Sequence, residues 1–267
     1  MYRINSHTGE TIEIPATASE DQPYFSTMTR EAIDYYNANG YVVLRGLVPA
    51  AATAAARAAF AEQVKPYGGF IYRQTTAQAE RHKLNDLGYV VNPVLNVQSV
   101  ANGRFEAFRK ATLACLTHPN VVAALSALFG QKPKIVQTMY FEGNTATWPH
   151  QDTYYLDSET LGEMCAAWIA LEDIAPNAGR FFVCPTSHKI DVATNGGDFD
   201  VAYHHDRYKA LMVDMMRDMK LSVTAPALRE GDALLWNAKT IHGSLDSPGA
   251  QSSRQSLTAH YIPESSN

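Results

Sequence analysis

Hydrophobic and polar positions follow two regimes along the chain. In the first half the apolar positions recur at helical spacing. Thr29 to Gly40 predicts a helix with Ile33 and Tyr36 on one face, Thr29 as N-cap and Gly40 as the stop. Tyr41 to Arg45 then reads as a strand. Pro49 to about Lys65 predicts a helix whose alanines supply propensity and carry no functional signal. Arg104 to Leu116 and Pro119 to Phe129 predict two more helices, the second ended by Gly130. Residues 1 to about 27 are polar, with Pro15 and Pro23, and read as an extended lead-in with room for one short hairpin. Between 66 and 103 the pattern is irregular, with a loop at Tyr67-Gly-Gly-Phe70 and a bend at Asn92-Pro93.

The second half shortens its period. Ile135 to Phe141, Cys165 to Leu171, Arg180 to Cys184, Leu221 to Thr224, Ala233 to Trp236 and Ser256 to Ile262 each read as strands. Turn signals separate them at Asn177-Ala-Gly179, Glu230-Gly-Asp232 and Ser247-Pro-Gly249. The expected fold is therefore mainly β with flanking helices: a double-sheet jelly roll with a helical N-terminal half. Residues 190–220 interrupt it with Asn195-Gly-Gly197 and a Met- and Tyr-rich segment, Tyr203 to Met219, that predicts a helix. An insertion of this length reads as a lid over a substrate site, or as a helix packed on the outside. With no internal repeat and no low-complexity linker, residues 1–267 are expected to form a single domain.

Composition narrows the classes. Hydrophobic residues make up 46% and charged residues 18%, which suits a chain with a large core. A net charge of −5 gives no footprint for nucleic acid. No apolar run reaches the ~20 residues of a membrane span, and Met1 to Ser6 lacks the apolar core of a signal peptide. Cys115, Cys165 and Cys184 form no C-x-x-C and read as buried free thiols, so a cytoplasmic protein is expected. The oligomeric state is not readable from these features.

The chemistry concentrates at His150-Gln151-Asp152 and at His242. In an extended segment residues i and i+2 share a side, so His150 and Asp152 can reach one metal ion while Gln151 faces away. Two imidazoles and a carboxylate cover one face of an octahedron and leave the other open, the arrangement of non-haem Fe(II) oxygenases. A lone His-x-Asp is a weak signal; its context strengthens it.

That context is a series of motifs in order: Gln137-Thr-Met-Tyr-Phe141, Trp148-Pro-His-Gln-Asp152, Ala167-Trp-Ile-Ala-Leu-Glu-Asp-Ile174, Pro185-Thr-Ser-His188, Gly231 to Ser244 and Arg254-Gln-Ser256. With these, the chain resembles the phytanoyl-CoA dioxygenase family over roughly residues 30 to 262. The resemblance implies an Fe(II)- and 2-oxoglutarate-dependent oxygenase on a cupin-like double-stranded β-helix. It implies His150, Asp152 and His242 as iron ligands and Arg254 as the partner of the distal 2-oxoglutarate carboxylate, which a planar guanidinium fits bidentately. Gln137, Trp168 and Ser244 are similar to family positions lining the cosubstrate site, and Ser256 would share a strand face with Arg254. The implied reaction consumes O2 and 2-oxoglutarate, releases succinate and CO2, and hydroxylates a small-molecule metabolite. Desaturation, epoxidation or rearrangement by the same cofactors is the alternative outcome, and a non-catalytic metal-binding cupin-like module the alternative class. A carboxylate at position 152 argues against halogenation, since related halogenases carry a small residue there. Two departures from the family pattern, Thr186 in Pro-Thr-Ser-His and Arg180 after Gly179, leave the conformation of that loop open, with Arg180 able to face substrate.

Other residues carry weaker readings. His188 is expected to make a local hydrogen bond, and Asp232 to serve a turn. His204 and His205 read as solvated or lid residues, and His260 as a core or rim residue. His82-Lys83 lies on a segment that can approach the site, and Tyr155 can aim into the barrel mouth. Met212, Met215, Met216 and Met219 have the spacing of a packed helix face.

Overall fold

The computed structural model describes residues 2–5, 11–14, 16–17, 22–100, 103–144, 147–192, 196–198, 200–246 and 251–266. Asn195 and the Ser247-Pro-Gly249 turn signal lie outside them. In chain order the elements are β1 (Tyr2–Asn5), β2 (Thr11–Ile14), β3 (Ala16–Thr17), α1 (Arg30–Asn39), β4 (Tyr41–Leu44) and α2 (Ala50–Ala59). A π-helical turn, Phe60–Val64, prolongs α2. Then come β5 (Ile71–Tyr72), β6 (Ala79–Glu80), β7 (Val94–Leu95), α3 (Glu106–Leu116), α4 (Pro119–Phe129), β8 (Pro133–Phe141), β9 (Cys165–Ala170) and β10 (Phe181–Val183). The chain closes with α5 (Val201–Asp218), β11 (Val223–Thr224), β12 (Ala233–Asn237), β13 (His242–Ser244) and β14 (Ser256–Pro263).

Local chemistry sets the helix ends. Thr29 Oγ1 accepts from the Ala32 N–H at 3.3 Å, and Gly40 closes α1 in the left-handed region at φ 81°. A side chain at Gly40 would run into His188 and Thr240, so glycine here also admits the loops packed against it. Pro119 opens α4 at a position whose N–H would be orphaned anyway, and Gly130 ends it at φ 70°.

Two sheets face each other. The larger runs β4-β12-β9-β14-β8-β7 and the smaller β13-β10-β11-β3. Alternation along the strands divides the large sheet into two faces. Val42, Leu44, Cys165, Ala167, Ile169, Ala233, Leu235, Leu257, Ala259 and Tyr261 join the core under α1 to α4. Tyr41, Val43, Ala166, Trp168, Leu234 and Trp236 point the other way, onto Phe181 and Val183 of the small sheet. Phe60 stacks on Tyr140 with centroids 4.3 Å apart, and Phe108 meets the same ring edge-on at 5.3 Å. Such contacts add about 0.5–1.5 kcal/mol each beyond area burial. They clamp the helical layer to β8 and leave Gln137, Met139 and Phe141 on the inner side. Across the molecule, Phe182, Val223 and Ile241 pack outward against Tyr208, Met212, Met215 and Met216 of α5.

The layers match the expected jelly roll, with additions. The lead-in forms the β1–β2 hairpin, and β3 adds a parallel edge to the small sheet. β5–β6 is a small hairpin, β7 extends the large sheet, and β13 is a strand the hydrophobic pattern does not mark. Met219 is 39% exposed and leaves the buried methionine face.

Candidate active site

The inner face of the large sheet and the small sheet enclose a cavity of about 410 Å³, within the usual range for small-molecule sites. Its floor carries His150, Asp152 and His242; one donor atom from each lies within 4.8 Å of the others. His242 heads β13. His150 faces it as an isolated antiparallel bridge, with hydrogen bonds of 3.0 and 2.9 Å between the two backbones. Asp152 is not part of a strand: it opens a 3-10 turn, Asp152–Tyr154. The alternation still holds for three residues, because Gln151 is extended (φ −109°, ψ 136°). Gln151 faces away, bonds the Lys239 carbonyl, and has its backbone gripped from both sides by the Tyr208 hydroxyl of α5, at 2.8 and 3.3 Å.

Both imidazoles are aimed by their other nitrogen. His150 Nδ1 donates to the Trp148 carbonyl and His242 Nδ1 to the Thr240 carbonyl, each at 2.9 Å. A carbonyl only accepts, so the proton sits on Nδ1 and Nε2 presents its lone pair to the centre. His150 Nε2 lies 3.7 Å and His242 Nε2 3.4 Å from Asp152 Oδ1. Donors at right angles around a divalent ion sit roughly 3 Å apart, so the triangle fits one ion. Burial, with His242 beside it, pushes the His150 pKa down to about 4, which keeps the ring neutral, the form that can bind a metal. Burial works to raise the Asp152 pKa, but the imidazoles of His242 and His260 outweigh it and hold the carboxyl well below its ordinary range.

Arg254 is the second pole. It is 2% exposed, and its Nη1 donates to the Gly179 carbonyl at 2.8 Å while Nε has no partner. The guanidinium lies against the Phe141 and Trp168 rings. Burial alone pushes its pKa down to about 10, with no carboxylate beside it among the described residues. A buried cation that no described carboxylate neutralises, on the wall of the same cavity as the triad, fits a carboxylate ligand.

The remaining expectations divide. Gln137, Trp168 and Ser244 all line the cavity, and the Ser244 hydroxyl also accepts from the Thr147 N–H at 2.7 Å. Ser256 instead lies against its own chain, its hydroxyl donating to the Arg254 carbonyl at 3.4 Å. Arg180 does not line the cavity; it reaches the Ile174 carbonyl at 3.5 Å. His82 is structural, between Arg73 and the Val64 carbonyl, and Lys83 lines a neighbouring pocket. His188 bonds the Asn37 carbonyl at 3.1 Å, and Asp232 accepts from the Gly46 and Arg229 N–H groups. Tyr155 and His205 both line the cavity and share a 2.8 Å hydrogen bond.

Three features were not foreseen. Trp236 Nε1 donates to Asp152 Oδ2 at 2.8 Å. His260 Nε2 lies 3.4 Å from the same oxygen. The β5–β6 loop brings Gln74, Thr75, Thr76 and Ala77 to the cavity wall. For His260 the signal was its alternation with Thr258 on an inward-facing strand; for the loop there was none, because only long-range pairing places it.

The fold and donor set define a cupin-like metal-centre class, and comparisons place the chain within it. A model of the phytanoyl-CoA dioxygenase (PhyH) family matches residues 36–256. The chain belongs to this family of iron- and 2-oxoglutarate-dependent dioxygenases. It is 34% identical over 160 residues to phytanoyl-CoA dioxygenase domain-containing protein 1 of Bos taurus, covering 55% of this chain and 52% of that one. It is 24% identical over 253 residues to the peroxisomal phytanoyl-CoA dioxygenase of Homo sapiens, covering 88% and 69%. The chain thus spans about half of the first relative and about two thirds of the second. In shape it is similar to the non-heme alpha ketoglutarate dependent carbocyclase SnoK from nogalamycin biosynthesis (TM-score 0.65, 20% identity, 94% of this chain and 88% of that). It is also similar to the epimerase SnoN in complex with Fe3+, alpha ketoglutarate and nogalamycin RO (TM-score 0.60, 21% identity, 88% and 84%). At these identities the likeness is one of fold. Among the described residues no single helix is long and apolar enough to cross a membrane.

Proposed function

We propose that this chain is an Fe(II)- and 2-oxoglutarate-dependent dioxygenase that hydroxylates an unactivated C–H bond of a small-molecule metabolite. His150, Asp152 and His242 hold the metal, and Arg254 takes the distal carboxylate of the cosubstrate. One observation carries the reading: a His/Asp/His triangle and a buried guanidinium with no carboxylate beside it among the described residues line one cavity. A bare metal box has no use for such a cation, which weighs against a non-catalytic module.

When bound, iron with O2 supplies the oxidising power: 2-oxoglutarate becomes succinate and CO2, one oxygen atom going to succinate and the other to substrate. The chain's residues bind and orient. Arg254 fixes one end of the cosubstrate, with Ser244 and Gln137 as further polar contacts and Trp168 as a wall. Phe141, Phe181, Trp148 and Trp236 keep the cavity apolar and limit water.

We also propose that the insertion at 190–220 serves as a lid through its leading part. The body of α5 is packed on the outside, with Met212 and Met216 fully buried. His204 breaks the helix at φ −131°, ψ 35°, and His205 just beyond reaches the cavity and Tyr155. His205→Ala is expected to raise 2-oxoglutarate consumption uncoupled from substrate oxidation, read as succinate formed per product. The three buried free thiols suit a reducing compartment, and we propose the cytoplasm.

Anaerobic titration of the Fe(II) protein with 2-oxoglutarate tests the reading. A visible metal-to-ligand charge-transfer band is expected, absent in Asp152→Ala; no band in the unaltered protein, or normal turnover by Asp152→Ala, refutes it. A second outcome, ring closure or epimerisation in place of hydroxylation, has one observation behind it: a carbocyclase and an epimerase share this fold. Product mass separates the two, since hydroxylation adds one oxygen atom.

A further inference from the structure

A carboxylate can bind a metal through one oxygen or two, and the choice changes how many positions remain for other ligands. In this site the two oxygens of Asp152 have different surroundings. Oδ1 faces the imidazole nitrogens of His150 and His242. Oδ2 faces Trp236 Nε1 at 2.8 Å and His260 Nε2 at 3.4 Å. A carboxylate only accepts, so the Nε2–H tautomer of His260 is the one that gives this contact a donor. His260 is 4% exposed and its Nδ1 has no partner, so its sole polar contact among the described residues is Asp152. Its backbone pairs with Gln137 of β8 and Ala166 of β9, and the β14–β8 register shifts between His260 and Tyr261. Irregularities of this kind re-aim side chains beside functional sites.

We propose that His260 is a positioning residue. With Trp236 it occupies Oδ2 of Asp152, so that the carboxylate offers the metal Oδ1 alone and three coordination positions stay open. Two of these suit a chelating 2-oxoglutarate and the third O2. A carboxylate that swung to bind through both oxygens would take one of them. This inference rests on the reading of the triad as a metal centre. Outer hydrogen-bond partners of metal ligands are typically worth about 10–100-fold in metal affinity.

The test uses the full chain and Co(II) as a spectroscopic probe of affinity and coordination. His260→Leu keeps apolar volume and removes the donor; His260→Gln places an amide N–H near the Nε2 position. His260→Leu is expected to bind Co(II) about 10–100-fold more weakly with an altered d–d spectrum. His260→Gln is expected to restore both, with metal-free melting temperatures alike in all three proteins. Co(II) affinity and spectrum unchanged in His260→Leu would overturn the proposal, and leave the metal centre itself standing. The proposal also falls if His260→Gln is as impaired as His260→Leu while both lose thermal stability equally, because His260 would then only fill space. Failure of the unaltered protein to bind Co(II) would instead remove the metal reading beneath both.

Discussion

Removing the Arg254 guanidinium should move two measurements in opposite directions. In the ligand-free protein the charge sits in an aromatic and backbone pocket, held down to about 10 by burial. A folded-state value below that of the unfolded chain penalises the folded state at every pH where the group is charged, so at neutral pH it costs about 3 kcal/mol. Arg254→Met relieves this cost and loses one hydrogen bond to Gly179, worth about 1 kcal/mol. The ligand-free variant should therefore melt no lower than the parent. Binding should behave oppositely. Truncating one partner of a buried charge pair costs about 2–5 kcal/mol, roughly 30- to 5,000-fold in 2-oxoglutarate affinity. Ligand at a hundred times Kd stabilises by about 2.7 kcal/mol, roughly 5–11 °C for a chain of this size. Thermal melts of metal-loaded protein, anaerobic and with or without 2-oxoglutarate, read both effects. A variant that melts several degrees lower without ligand, yet keeps the full 2-oxoglutarate shift, would refute the assignment of Arg254 as the carboxylate clamp.

Further outcomes follow from the same geometry. Gly179 has φ 78°, and a Cβ there would meet Asn144 and the Leu245 carbonyl; Gly179→Ala should displace the carbonyl that seats Arg254 and weaken 2-oxoglutarate binding at least tenfold, by the same melting assay. Tyr208→Phe strands the buried Gln151 peptide groups and should cost about 1–3 kcal/mol in urea unfolding, with weaker Co(II) binding because that peptide links His150 to Asp152. His82 is held below its ordinary pKa by burial, aided by Arg73, so the folded state resists its protonation and loses stability as pH falls through about 6.5. His82→Gln should flatten that acid-side loss in melts at about pH 7 and about pH 5, by under ~1 kcal/mol because the ring is half exposed.

The sequence carried the helices and most strands, because their signals are local. Thr29, Gly40, Pro119 and Gly130 are caps and stops that work through near neighbours. That His150, Asp152, His242 and Arg254 would share one site was legible from motif order and donor chemistry. What escaped is set by contacts between distant segments. β13 has only three residues, His-Gly-Ser, with no hydrophobic alternation; its pairing with β10 makes it a strand. Asp152 leaves strand geometry because the chain turns there under Tyr208 and the Ala238 carbonyl, which accepts from Thr153. Trp236 reads as core by periodicity, and nothing local says that its N–H meets a carboxylate. Arg180, which the motif allowed to face substrate, is instead turned to the Ile174 carbonyl.

The bridge between His150 and His242 has a consequence for how such a molecule can change. Two reciprocal backbone hydrogen bonds join these residues directly, so their spacing does not depend on the course of the polypeptide between them. The stretch from Ile190 to Lys220 can lengthen, shorten or exchange its surface while the grip on an ion stays as it was. Among the described residues, what must stay is the Tyr208 hydroxyl on the Gln151 peptide and the buried face of Met212, Met215 and Met216 against the small sheet. A scaffold built this way can acquire a new substrate by rewriting one segment, with the reactive machinery inherited intact.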